Sequence, residues 1–222
     1  MRLFNYNLAK WMKVPDALLG FYWEDPEKNG EYKFVAKYIK DNMTIFDVGA
    51  NIGDYTKKVI SITPKLNIYC FEPVKSTFST LNKNLESTRV DSIKTFNVGF
   101  SDKPETLSMN IYGDNGGSNS LYYNEYHAER SAAIRKEEVE LKKLDDFVLE
   151  NRITSIDFLK IDVEGHEFKV LMGALQSLES NVIKCIQFEY NNYWKKSGHK
   201  LESVIELLSS FNFSIYRLTP WG

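Results

Sequence analysis

The sequence predicts a doubly wound α/β domain, a mostly parallel sheet with helices on both faces. Three observations point there. Strand-like and helical segments alternate along most of the 222 residues, the pattern of strand–helix–strand units joined by right-handed crossovers. The first strand runs into a glycine turn, FDVGANIGDY at 46–55. The strands also end on polar or acidic residues, as they do where their carboxyl ends border a ligand crevice.

The elements follow in order. In EYKFVAKYIK (31–40), Tyr32, Val35, Tyr38 and Ile39 recur at helical spacing. TIFDV (44–48) is a β-branched and aromatic run closed by glycine, hence a strand. Asp54 to Ile62 places Tyr55, Val59 and Ile62 on one helical face and stops at Pro64. LNIYCF (66–71) is a second strand, and Pro73 opens a helix that aligns Phe78, Leu81 and Leu85. SIKTFNV (92–98) is a third strand. The stretch 105–143 breaks the rhythm: TLSMNIYG and EEVELKKL alternate apolar and polar residues, so a β insertion between strands three and four is expected around a polar loop. SIDFLKIDV (155–163) is the fourth strand, followed by one helix through Phe168, Leu171, Leu175 and Leu178. VIKCIQFEY (182–190) is the fifth, then come a helix over Leu201–Leu208 and a last strand FSIYRL (213–218). With no repeat or linker, 1–222 reads as a single domain, with 1–43 as an N-terminal helical cap. There Leu3, Phe4, Leu8, Trp11 and Met12 would form an amphipathic helix packed on its own domain as a lid, with a membrane-surface or partner contact as the alternative.

Composition narrows the function classes. Hydrophobic residues make up 43% and charged ones 26%, an ordinary globular balance. A net charge of −2 without a basic stripe argues against a nucleic-acid partner. No apolar run approaches the ~20 residues of a membrane span, and the N-terminus lacks the apolar core of a secretory signal. A cytoplasmic protein with no transmembrane segment is expected, with Cys70 and Cys185 as packed thiols inside strand runs.

The strand ends supply the candidate chemistry: Asp47, Gly49, Asn51 and Gly53 after the first, Glu72 after the second, Asn97 after the third, Asp162 and Glu164 after the fourth, Glu189 after the fifth. Each alone also reads as a helix cap or a solvated loop residue; their gathering on one sheet edge is what argues for a site. A dinucleotide turn has the spacing G-x-G-x-x-G. Here Asn51 stands where that pattern has its second glycine, so a pyrophosphate fits poorly. Glu72, nineteen residues past Gly53, is placed to accept hydrogen bonds from a ribose diol. Acidic Asp47 and Asp162 favour a cation over a phosphate. S-adenosylmethionine, with a free diol, no phosphate and a sulfonium, meets these conditions.

The set FDVGANIGDY, CFEP, NVGFSD, GGSNSL, KKLDDF and IDFLKIDVEGHE resembles the FkbM-type S-adenosylmethionine-dependent methyltransferases, over about Gly30 to Leu218. The resemblance implies a class I methyltransferase-like Rossmann fold that methylates hydroxyl oxygens, often on sugars or polyketide-type natural products. It implies a cofactor loop of Asp47, Gly49, Asn51 and Gly53, a ribose site at Glu72 and Pro73, and Asn97 beside the adenine. Asp162, Glu164 and His166 would lie near the transferable methyl group. Two departures stand out. The chain stops after YRLTPWG, where the family fold adds a final antiparallel strand, so that strand is expected to be missing, leaving an edge on which a homodimer could form. Lys143 stands where the family more often has threonine.

Transfer to a hydroxyl requires a base. His166 has a suitable ordinary pKa; Asp162 is the alternative, with Glu164 beside it. Lys160, on the same strand face as Asp162, would tune it, contact the acceptor, or simply pair with a structural carboxylate. No metal is assigned, although Asp162, Glu164, His166 and Glu189 are chemically able ligands. The polar loop 113–130, with Asn115, Asn119, Tyr122, Tyr123, Asn124, Tyr126 and His127, suits a carbohydrate acceptor. The expected partner is thus a small-molecule or glycan hydroxyl. An RNA ribose 2′-O-methyltransferase, suggested by the Lys160, Asp162 and Glu189 set, and a non-catalytic cofactor-binding domain remain as alternatives, a dehydrogenase as a more distant one.

Overall fold

The computed structural model describes residues 25–221 apart from 89, 91, 114–117, 132 and 133. The expected lid helix and Asn115 lie outside these residues. The first half of the chain forms α1 (Glu31–Tyr38), β1 (Thr44–Val48), α2 (Asp54–Ile62), β2 (Asn67–Phe71), α3 (Lys75–Glu86), β3 (Ile93–Phe96), β4 (Gly99–Phe100) and β5 (Glu105–Tyr112). The second half forms α4 (Glu125–Arg130), β6 (Ile134–Lys142), α5 (Leu144–Glu150), β7 (Phe158–Ile161), α6 (Glu167–Met172), α7 (Leu175–Glu179), β8 (Ile186–Phe188), α8 (Tyr193–Ser197) and α9 (Leu201–Ser210).

Five strands make the main sheet in the order β3-β2-β1-β7-β8, and the register between neighbours is parallel. Alternation along each strand divides the core between two faces. Phe46, Val48, Phe71, Leu159 and Ile161 pack against Leu144, Phe147, Val170, Leu171, Val204 and Leu208 of α5, α6 and α9. Phe147 is the hub, its ring edge-on to Phe71 at 4.8 Å and to Phe96 at 4.9 Å. Ile45, Ile68, Cys70 and Phe158 face Val35, Val59, Leu81 and Leu85 of α1 to α3. Each such fully buried side chain contributes about 1.5–3 kcal/mol, so both faces must be covered for the sheet to persist.

A second sheet, in the order β4-β6-β5, joins two strands of the 105–143 stretch to β4, which precedes it. β5 runs antiparallel to β6 from Glu105↔Leu141 to Tyr112↔Ile134. Its apolar face, Met109, Ile111, Val139 and Leu141, rests on Val74 at the start of α3.

Two expectations are corrected. Residues 213–218 form no strand; Phe213 and Ile215 pack on the core, so their alternation is met by burial without a ladder. The helix expected through 168–178 is two helices, broken at Gly173, where a Cβ would stand 2.1 Å from the carbonyl oxygen of Ser101. Asp145 of KKLDDF then caps α7, its carboxylate accepting the amides of Gln176 and Ser177 at 2.9 Å. Among the described residues no helix is long and apolar enough to cross a membrane.

Candidate active site

Strand order reverses at β1, so the crevice of this fold lies outside the carboxyl ends of β1 and β7. The turn after β1 is built for close approach. Gly49 has φ +84, and a Cβ there would sit 1.8 Å from the carbonyl oxygen of Asp162. Gly49 and Ala50 both donate to Phe71 O, and Gly53, at φ 90, opens α2. Asn51, between them, has φ 50. Its buried Oδ1 has no hydrogen-bond partner among the described residues, nor has Oδ1 of Asp47.

Glu72, at the tip of β2, reaches into this turn. Its Oε2 accepts the Asn51 amide at 3.1 Å and its Oε1 the Val74 amide at 3.0 Å. Burial pushes its carboxyl up to about 7 against these two bonds. Pro73 follows it, and the Asn97 amide donates to Glu72 O and Pro73 O at 2.9 and 2.8 Å. Asn97 thus ties down the end of β2.

On the α1–α2 face the sheet carries a buried polar row. Asp47 stands across the register from Lys160, and Lys160 from Gln187. Thr56 donates to Asp47 Oδ2 at 2.6 Å. The Lys160 ammonium lies 2.7 Å from Asp162 Oδ2 and 3.8 Å from Glu31 Oε1, over the Tyr55 ring. Burial alone would lower its pKa, but the charges of Asp162, Asp47 and Glu31 hold it well above the ordinary lysine value. Glu31 comes from α1 and was not a candidate in the sequence; nothing in its helix marks it as facing a lysine far along the chain.

Asp162, Glu164 and Glu189 converge, each offering an oxygen within 4.8 Å of the others. Asn191 donates to Glu164 and Glu189, both at 2.7 Å. Burial, then the neighbouring Asp162 charge, pushes the Glu164 carboxyl up to about 8. The same causes raise Glu189, although it is exposed as a residue and water screens the neighbouring charges. Lys160 already gives Asp162 a positive partner, and we assign no metal to the three.

His166 is buried and engaged at both nitrogens. Nδ1 lies 3.0 Å from the Tyr122 hydroxyl and Nε2 3.1 Å from Ser101 Oγ. Burial lowers it to about 4, leaving a neutral ring. Ser101 continues the chain to Glu105 Oε1 at 2.8 Å. The 118–124 loop is stapled to this corner: Ser120 donates to Glu164 O at 2.8 Å and Tyr193 to Ser118 O at 3.0 Å. The structure therefore brings Asp162, Glu164, Glu189 and Lys160 together, ties His166 to Tyr122 of the loop, and adds Asn191, which the sequence did not single out.

The main sheet, β3-β2-β1-β7-β8, with a glycine turn after β1 and an acid at the tip of β2, has the class I methyltransferase-like Rossmann arrangement. The Methyltransferase FkbM domain profile matches residues 47–215, and the chain belongs to the FkbM methyltransferase family. It is 30% identical to Methyltransferase 1 of Beauveria bassiana, over 60% of this chain and 59% of that one. It is 26% identical to 2-O-methyltransferase NoeI of Sinorhizobium fredii, over 78% and 73% of the two chains. It is also 26% identical to hexuronic acid methyltransferase AglP of Haloferax volcanii, over 71% and 62%.

Proposed function

We propose that this protein is an S-adenosylmethionine-dependent O-methyltransferase acting on a hydroxyl of a sugar or related small molecule. The observation that carries the reading is the joining of Glu72 to the Gly49–Gly53 turn through the Asn51 amide. That carboxylate uses one acceptor site on each oxygen and keeps another for a diol. The donor set fits a ribose-bearing cation: unpartnered Asp47 Oδ1 and Asn51 Oδ1 are acceptors, and the turn carries no basic side chain for a phosphate. Asp47, Asn51 and Glu72 would hold the cofactor, which supplies an electrophilic methyl group.

The residues at the ends of β7 and β8 align the acceptor and take its proton. Alignment alone can contribute roughly 7–11 kcal/mol, and a positioned base ~10²–10⁴-fold. A carboxylate raised toward neutrality suits that role, as Glu164 is; His166 holds the loop through Tyr122 instead. The hydroxylated acceptor is supported by the polar 118–124 loop, tied by Ser120 to the carbonyl of Glu164, and by the relative whose name specifies hexuronic acid.

Calorimetry with S-adenosylhomocysteine tests the cofactor half of this reading, and transfer of radiolabelled methyl to a panel of methyl glycosides and uronides tests the rest. Absence of nucleoside binding would end it.

A further inference from the structure

Asn191 couples two carboxylates from different strand ends. Its Oδ1 accepts the Tyr193 amide at 2.9 Å, which turns its NH2 toward Glu164 and Glu189, each 2.7 Å away. Around this pair stand Asp162 and Lys160 of the β7 end, Glu167 of α6 and Tyr193 of α8. The only cation among them, Lys160, is held by Asp162 at 2.7 Å. Two further buried carboxylate oxygens have no partner among the described residues: Asp47 Oδ1, in a residue 1% exposed, and Glu167 Oε2, in one 0% exposed. Asp47 shares the sheet face of Lys160 and Asp162, and the charge of Asp162 is felt at both Asp47 and Glu167. Acid thus outnumbers base here, in surroundings that favour either a proton or an incoming cation.

We propose that Glu164 and Glu189, coupled through Asn191, hold a proton between them that a cationic methyl donor displaces on binding and that the acceptor hydroxyl restores during transfer. The inference rests on the cofactor reading above and names Glu164 as the base, with Glu189 and Asn191 as positioning residues. The step balances. The sulfur–carbon bond breaks with its electron pair passing to sulfur, an oxygen–carbon bond forms, and the hydroxyl proton moves to Glu164. The sulfonium charge disappears as the carboxylate charge does, so the crevice keeps the same net charge across the reaction. Binding of the neutral thioether product needs no proton release.

Calorimetry counts the protons. Binding of S-adenosylmethionine and of S-adenosylhomocysteine is measured at about pH 7 in phosphate and in Tris, whose ionisation enthalpies differ, so that the buffer dependence gives protons released. The expected result is up to about one more proton released with the cationic ligand. The difference should vanish in Glu164→Gln, shrink in Glu189→Gln, and move to a different pH in Asn191→Leu. Equal proton release for the two ligands in the unaltered chain overturns the inference and leaves the cofactor reading standing. Failure of both ligands to bind overturns both. The comparison in the unaltered chain needs no variant to fold.

Discussion

Lys160 Nζ lies 2.7 Å from Asp162 Oδ2 in a side chain 9% exposed, and it faces Asp47 across the β1–β7 register. Replacing it removes the positive partner of a mostly buried acidic group. Lys160→Met should lower unfolding free energy by roughly 3 kcal/mol, the low end for a broken buried pair because Asp162 keeps some water. Urea denaturation measures this; a change below about 1 kcal/mol would show that water alone sustains the acids.

Glu72→Gln keeps the shape at the tip of β2 but turns one acceptor into a donor facing a backbone amide. Losing a charge-assisted bond of about 1.5–3 kcal/mol should weaken S-adenosylhomocysteine binding about 10- to 100-fold. Calorimetry reads it directly, and unchanged affinity would remove Glu72 from the ribose site.

Stability should fall as pH rises through neutrality. Glu72 and Glu167, raised to about 7, and Glu164, raised to about 8, keep their protons to higher pH in the fold than in the unfolded chain, which ionises from 4.5 upward. The folded state then binds more protons, so their stabilising contribution is full below 4.5 and lost as pH climbs to the folded values. His166, lowered to about 4 from 6.5, acts oppositely, but only between those two values. From pH 6.5 to 8 the decline is therefore unopposed by His166. Thermal midpoints across this range test it, and Glu164→Gln should flatten the upper part.

His166→Phe removes the bonds to Tyr122 and Ser101 together; Ser101 keeps Glu105 as a partner, but the Tyr122 hydroxyl is stranded, at a cost of about 1–3 kcal/mol. Affinity for S-adenosylhomocysteine should be unchanged, since His166 touches none of Asp47, Asn51 and Glu72. A fall in affinity comparable to that of Glu72→Gln would place His166 in the cofactor site.

Much of this was legible in the sequence because parallel strands and amphipathic helices carry local signals. TIFDV and LNIYCF announce β1 and β2 almost to the residue, and the glycine turn and Glu72 fall where strand order predicts. Short elements were missed: α8 and α4 have too few residues for a period to show. At FSIYRL the alternation was real but its cause was burial rather than pairing. The partnerships of the site were also invisible. The approach of Glu31 to Lys160 depends on helix docking, and that of Tyr122 to His166 on how the insertion folds back. His166 looked like a base because exposure, which decides its pKa, is a property of the fold.

The hydrogen bond from Ser120 to the carbonyl of Glu164 bears on how such enzymes diversify. The segment proposed to select the acceptor is bolted to the turn bearing the proposed base, so grafting a foreign 118–124 stretch alone would shift that turn. New specificities in this lineage should arise by exchanging both pieces together, or by changing tyrosine side chains on an unaltered backbone.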